Sequence, residues 1–158
     1  ARAVQVAQND AEKEKVWEAR RAALSALARL KPTLVLEDAT VPRSKIPDMV
    51  LALQNIAEKY RIDIGTFGHA GDGNLHPTIL TDQRDKEEFH RAEQAIEEIF
   101  DKALGLGGTL SGEHGTGIAK APFLEKEAGY SSILFSRQLR QALDPNNILN
   151  PGKITGVS

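Results

Sequence analysis

Two strand-like runs, Ile62 to Phe67 and Leu75 to Leu80, are separated mainly by the glycine-rich turn AGDGN, and a long amphipathic helix flanks each on its far side. So short a connection brings the runs together as an antiparallel hairpin. The upstream helix, about Ser44 to Tyr60, repeats Ile46, Met49, Leu53, Ile56 and Tyr60 at helical spacing, with Ser44 placed to cap it. The downstream helix, roughly Arg84 to Leu104, presents Phe89, Ala92, Ile96, Ile99, Phe100 and Ala103 on one face, with Asp82 as its cap. A β-branched run at Thr33 to Glu37 precedes this block, and a short strand at Thr109-Leu110 follows it. The order strand-helix-strand-strand-helix-strand is the split βαβ of ferredoxin-like α+β folds. It predicts an antiparallel sheet with helices on one face.

Outside that block the pattern is helical. Asp10 to Leu30 carries an apolar stripe of Val16, Ala23, Leu24, Leu27 and Leu30, and Lys31-Pro32 ends it. A C-terminal helical tail is predicted near Ser131 to Ala142, before LDPNNILNPGKI. The opening ARAVQVA reads as the tail of a strand. At 158 residues, with 41% hydrophobic and 27% charged, the chain suits one domain spanning residues 1–158, large enough to bury its own core. Its net charge of -2 is well mixed and predicts no nucleic-acid partner. No transmembrane segment and no signal-peptide pattern is present. Cysteine is absent, which removes disulfides, thiolate nucleophiles and Cys-ligated metals and suits a cytoplasmic protein.

Three of the four histidines fall in two glycine-rich segments, FGHAGDGNLHPTIL and SGEHGTG. His69 and His76 bracket the hairpin turn, where two imidazoles can converge on one ion. Gly71 and Gly73 give the turn access to positive φ. Glu113 follows the last predicted strand and completes a set of two imidazoles and one carboxylate. Three ligands leave a position for water or substrate, the arrangement of a catalytic metal, and the mixed set suits zinc, manganese or ferrous iron. His114, next to Glu113, is expected to point elsewhere on a strand and so to be available as an acid-base group. His90, among charges in EEFHRAE, reads as a solvated surface residue. Arg20 falls within the apolar arc of the first helix, where a guanidinium needs an anion or a path to water. From the residues alone an internal salt bridge or an exposed stem meets that need more readily than a substrate carboxylate. Neither glycine segment has the spacing of a dinucleotide fingerprint.

Together, HAGDGNLH, SGEHGTG and LDPNNILNPGK resemble the C-terminal domain of the FAD-linked oxidases, nearest to the glycolate oxidase D subunit and D-lactate dehydrogenase branch. The similarity runs from WEARRAAL to the last residues. It implies a cap domain that covers a flavin bound mainly by a separate N-terminal FAD domain, absent from these 158 residues. On that resemblance His69, His76 and Glu113 match ligands of a divalent metal, His114 matches a catalytic base, and Arg20 matches a grip on the substrate carboxylate. Asn150, in NPGK, matches a return of the chain toward FAD. The implied reaction moves a hydride from a small 2-hydroxy acid to FAD, with other oxidase subunits as further partners. The chain alone is then expected to be inactive.

Two positions depart from relatives that use dicarboxylates. Thr78 stands where those carry a polar residue, usually Asn, and Leu36 where they carry Lys, which favours a small monocarboxylate such as glycolate or lactate. From the residues alone, two other readings stay open: a non-enzymatic ferredoxin-like metal-binding or regulatory module, and a metal-dependent hydrolase with Asp72 as its only nearby candidate base.

Overall fold

The computed structural model describes residues 6–154, so the strand read at the first residues lies largely outside what is described. Helix α1 spans Asp10–Leu27 and is capped by Asn9, whose side chain accepts the Glu12 N–H. Strands β1 (Thr33–Leu36) and β2 (Ala39–Thr40) follow, then α2 (Ile46–Tyr60), β3 (Asp63–His69), β4 (Asn74–Thr81) and α3 (Lys86–Gly105). The tail holds α4 (Leu124–Ala128) and α5 (Tyr130–Leu143).

The split βαβ is present. Strand β4 is the centre of the sheet, pairing antiparallel with β3 on one side and with β1 and β2 in one continuous line on the other. Beyond β2 the chain returns through a single antiparallel bridge, Thr40 to Thr109, so the strand expected at Thr109-Leu110 is reduced to one residue pair. Its position beside β2 still gives the spatial order of a ferredoxin-like sheet.

Helices α2 and α3 cover one face. Ala39, Val41, Leu75 and Ile79 of the sheet segment meet Met49, Leu53 and Ile56 of α2, and Ala92, Ala95, Ile99 and Ala103 of α3. Three alanines on α3 keep its backbone close to its neighbours. Met49 and Ile79 are fully enclosed, and truncating either to Ala would cost about 2–5 kcal/mol. Strand β4 is buried along its whole length, although Asn74, His76, Thr78 and Thr81 are polar.

The other face carries His76, Thr78 and Leu80, because side chains alternate along β4. Helix α1 approaches there: a Cβ at Gly65 would collide with the Leu27 side chain. The stripe predicted on α1 is not buried within this chain, since no residue of the helix is, and Val16 and Trp17 are 65% and 52% exposed.

Two caps differ from expectation. Residues 43–45 form a 3₁₀ turn, so α2 begins after Lys45 with no side-chain cap, and Ser44 does not serve. Asp85, not Asp82, caps α3, accepting the Glu87 and Glu88 N–H groups. Asp82 is taken by Arg84, which binds both its carboxylate oxygens. No helix among the described residues is long and apolar enough to cross a membrane.

Candidate functional site

The β3–β4 register puts Phe67 opposite His76 and His69 opposite Asn74, so all four side chains share the face away from α2 and α3. The connection is compact because the Asp72 N–H returns to the His69 carbonyl at 3.0 Å and Val41 N–H reaches the Gly73 carbonyl at 3.0 Å. Gly73 has φ 76°, and a Cβ there would strike the Val41 carbonyl oxygen. Gly71 has open space around it and is not in the positive-φ region, so of the two turn glycines only Gly73 is conformationally required. The turn thus locks the ends of the hairpin and sets the two imidazoles 5.4 Å apart, ring to ring, nearly perpendicular.

Glu113 arrives from the other side of the sheet, on the loop after Thr109. Its Oε1 lies 2.9 Å from His76 Nε2 and 3.6 Å from His69 Nε2, and one donor atom from each of the three residues lies within 4.8 Å of the other two. Ligands held at about 2.0–2.2 Å from a shared ion are about 3 to 4 Å apart, so the set fits a divalent metal with modest contraction. His76 is 3% exposed, whereas His69 and Glu113 are half exposed, leaving the outer side of the cluster open. Burial, and then the neighbouring His114, hold the His76 imidazole below its usual pKa against the pull of Glu113. That shift favours the neutral imidazole, the form a metal ligand requires.

His114 does not point elsewhere. Residues 111–117 are irregular, so strand alternation does not govern them. The His114 ring stacks on His76 at 4.9 Å and 9°, with Nε2 3.8 Å from Glu113 Oε1. It stands beside the cluster, stacked on its buried member.

The loop that carries Glu113 and His114 is held by a residue that sequence reasoning missed. Asp38 is fully buried, and its Oδ2 accepts the Ser111 hydroxyl and the Glu113 and His114 N–H groups, each at 2.8 Å. Burial alone would raise the Asp38 pKa, but these bonds, with one from the Gly112 N–H, bring it down to about 2. Lys120, also buried, ties the same segment down by donating to the carbonyls of Asp38 at 3.0 Å and Leu110 at 2.7 Å. Its Nζ is 3.8 Å from Glu37. The only signal in the sequence was two charged residues, Glu37 and Asp38, directly after an apolar strand.

Arg20 lies over the Phe67 ring, 4.8 Å from its centroid, and that ring is 5.7 Å from His76. One aromatic ring therefore separates the guanidinium from the cluster. Among the described residues no carboxylate pairs with Arg20, whereas its neighbour Arg21 is paired with Glu14. Asn150 is exposed in a turn at φ 50°, and its described hydrogen bonds go to Lys153, with none to the cluster. Asp72 is exposed at the hairpin tip, and His90 is exposed on α3 near Glu93.

Residues 1–154 match the family described as FAD linked oxidases, C-terminal domain. The chain is 61% identical to glycolate oxidase subunit GlcD of Bacillus subtilis over 96% of its length and 32% of that protein. It is 35% identical to the GlcD subunit of Escherichia coli K12 over 95% of the chain and 30% of that protein. It is 33% identical to the mitochondrial D-lactate dehydrogenase [cytochrome] of Arabidopsis thaliana over 90% of the chain and 25% of that protein. The chain spans about a third of the length of the curated relatives it matches.

Proposed function

Because the chain belongs to the C-terminal domain family of the FAD-linked oxidases, of the glycolate oxidase and D-lactate dehydrogenase type, we propose that it is the substrate-side domain of a flavin-dependent 2-hydroxy-acid dehydrogenase. The convergence of His69, His76 and Glu113, with His114 stacked beside them, carries this reading. His69, His76 and Glu113 would hold a divalent ion (zinc, manganese or ferrous iron), which would supply Lewis acidity to a bound 2-hydroxy acid. The reading extends to a cytoplasmic enzyme in which this chain works with an FAD domain and with further oxidase subunits.

Each residue of the chain then has a task. Buried His76 would be the fixed ligand, while half-exposed His69 and Glu113 leave the outer side accessible to substrate. Arg20, held over Phe67, grips the substrate carboxylate as a bidentate donor and fixes the direction of C2. His114 takes the 2-hydroxyl proton at Nε2, the ring nitrogen 3.8 Å from Glu113 Oε1. The C2 hydrogen leaves with its electron pair as a hydride, flavin being the two-electron acceptor, and a 2-oxo acid remains. Asn150, in the C-terminal turn, faces the flavin side in this reading.

Leu36 and Thr78, the two positions that depart from dicarboxylate-using relatives, are direct cross-strand partners on the His76 face. Neither side chain can bind a second carboxylate as a cation would, which supports glycolate or D-lactate as substrate.

The test is anaerobic bleaching of the flavin in the complete enzyme by a panel of 2-hydroxy acids. Glycolate or D-lactate is expected to bleach it far faster than a 2-hydroxy dicarboxylate, and His114→Ala to slow bleaching by about 10²–10⁴-fold. A flavin reduced as fast in the His114→Ala enzyme would defeat the proton-acceptor assignment.

A further inference from the structure

Four buried polar atoms without hydrogen-bond partners lie along one stretch of the sheet: Asp38 Oδ1, Thr40 Oγ1, Asn74 Oδ1 and His76 Nδ1. They are not scattered. Thr40 is the register partner of Asn74, and the pairings Leu36 to Thr78 and Ala39 to Leu75 on either side place Asp38 directly across from His76. The Glu37 N–H to Pro77 carbonyl bond at 2.9 Å shows that this register is unbroken between β1 and β2. Directly opposed residues have Cβ atoms about 4.5–5.5 Å apart on the same face, within reach of a carboxylate and an imidazole.

We infer that Asp38 is the positioning residue of the site, one carboxylate oxygen clamping the loop that carries Glu113 and His114 and the other receiving Nδ1–H of His76. This rests on the metal reading proposed above. The first half is drawn in full by the bonds from Ser111, Glu113 and His114 to Oδ2. The second half pairs the partnerless atoms of two residues that lie opposite each other across the strands. It has a chemical consequence: a carboxylate at Nδ1 selects the tautomer with its proton there, so the lone pair is on Nε2, the atom 2.9 Å from Glu113 Oε1. Asp38 thereby sets both the position of one ligand and the tautomer of another, from strands β1–β2 that contribute no ligand themselves. Gly112 is part of the same fit, since a Cβ there would strike the Thr40 hydroxyl.

The experiment titrates the metal-free complete enzyme with Co²⁺ and reads the visible d–d bands. Asp38→Asn is expected to bind cobalt about ten- to a hundredfold more weakly and with shifted bands. Wild-type affinity and bands in that variant would overturn the role of Asp38. A wild-type enzyme that takes up no cobalt or zinc removes the metal reading and this inference with it, a result distinct from the first. A second measurement does not depend on any variant folding. In the zinc-loaded wild-type enzyme, ¹⁵N-labelled histidine is expected to show His76 with its proton on Nδ1, and a proton on Nε2 would overturn the inference.

Discussion

Asp38 keeps its charge in a place that water does not reach, because three neighbours donate to a single oxygen. That has a pH signature. The folded carboxyl is depressed from 3.8 to about 2, so above the unfolded value its contribution to stability is fully present, and it is lost as pH falls through about 2. Urea unfolding between pH 5 and pH 2.5 is expected to show stability falling on acidification, with a shallower fall in Asp38→Asn. Equal slopes would mean that the hydrogen bonds do not hold the charge. At this scale the sequence exposed the three clustered residues, since His69, His76 and Glu113 stand in glycine-rich segments that single them out. It hid Asp38, two of whose three donors are backbone groups 75 and 76 positions further along the chain, the third being the Ser111 hydroxyl. His114 was misdirected by assuming a strand where the chain forms an irregular loop.

Among the elements, the hairpin is the one the site depends on most. Its two strands, the turn and the helices on either side were legible because their periodicities, two and 3.6, are distinct. The helix boundaries were less so: Asp82, Asp85 and Ser44 are all chemically competent caps, and only the local backbone decides among them. The segment joining β1 to β2 buries the charged residues Glu37 and Asp38, and no hydrophobic pattern announces it. The turn glycines can be separated by experiment. Gly73→Ala needs φ 76° and a Cβ against the Val41 carbonyl, so it is expected to cost more than about 1 kcal/mol in thermal or urea melts. Gly71→Ala meets nothing and is expected to be neutral or stabilising by up to about 1 kcal/mol. Equal effects of the two substitutions would contradict the turn geometry.

For the whole molecule, a ferredoxin-like sheet has one face closed by α2 and α3 and the other carrying chemistry. On that second face α1 brings Arg20 to Phe67 while leaving Val16 and Trp17 exposed. The alternatives open from residues alone, a regulatory module or a hydrolase, give way to an oxidoreductase family because the match spans nearly the whole chain. Spacing could not have made that choice, since the same open site of two imidazoles and a carboxylate also activates water. The central claim is that His69, His76 and Glu113 hold a divalent ion. Plasma-emission analysis of the purified complete enzyme tests it directly. About one equivalent of a divalent metal is expected in the wild type, with most of it lost in both His76→Ala and Glu113→Ala. A stoichiometric ion that survives both substitutions would contradict the account.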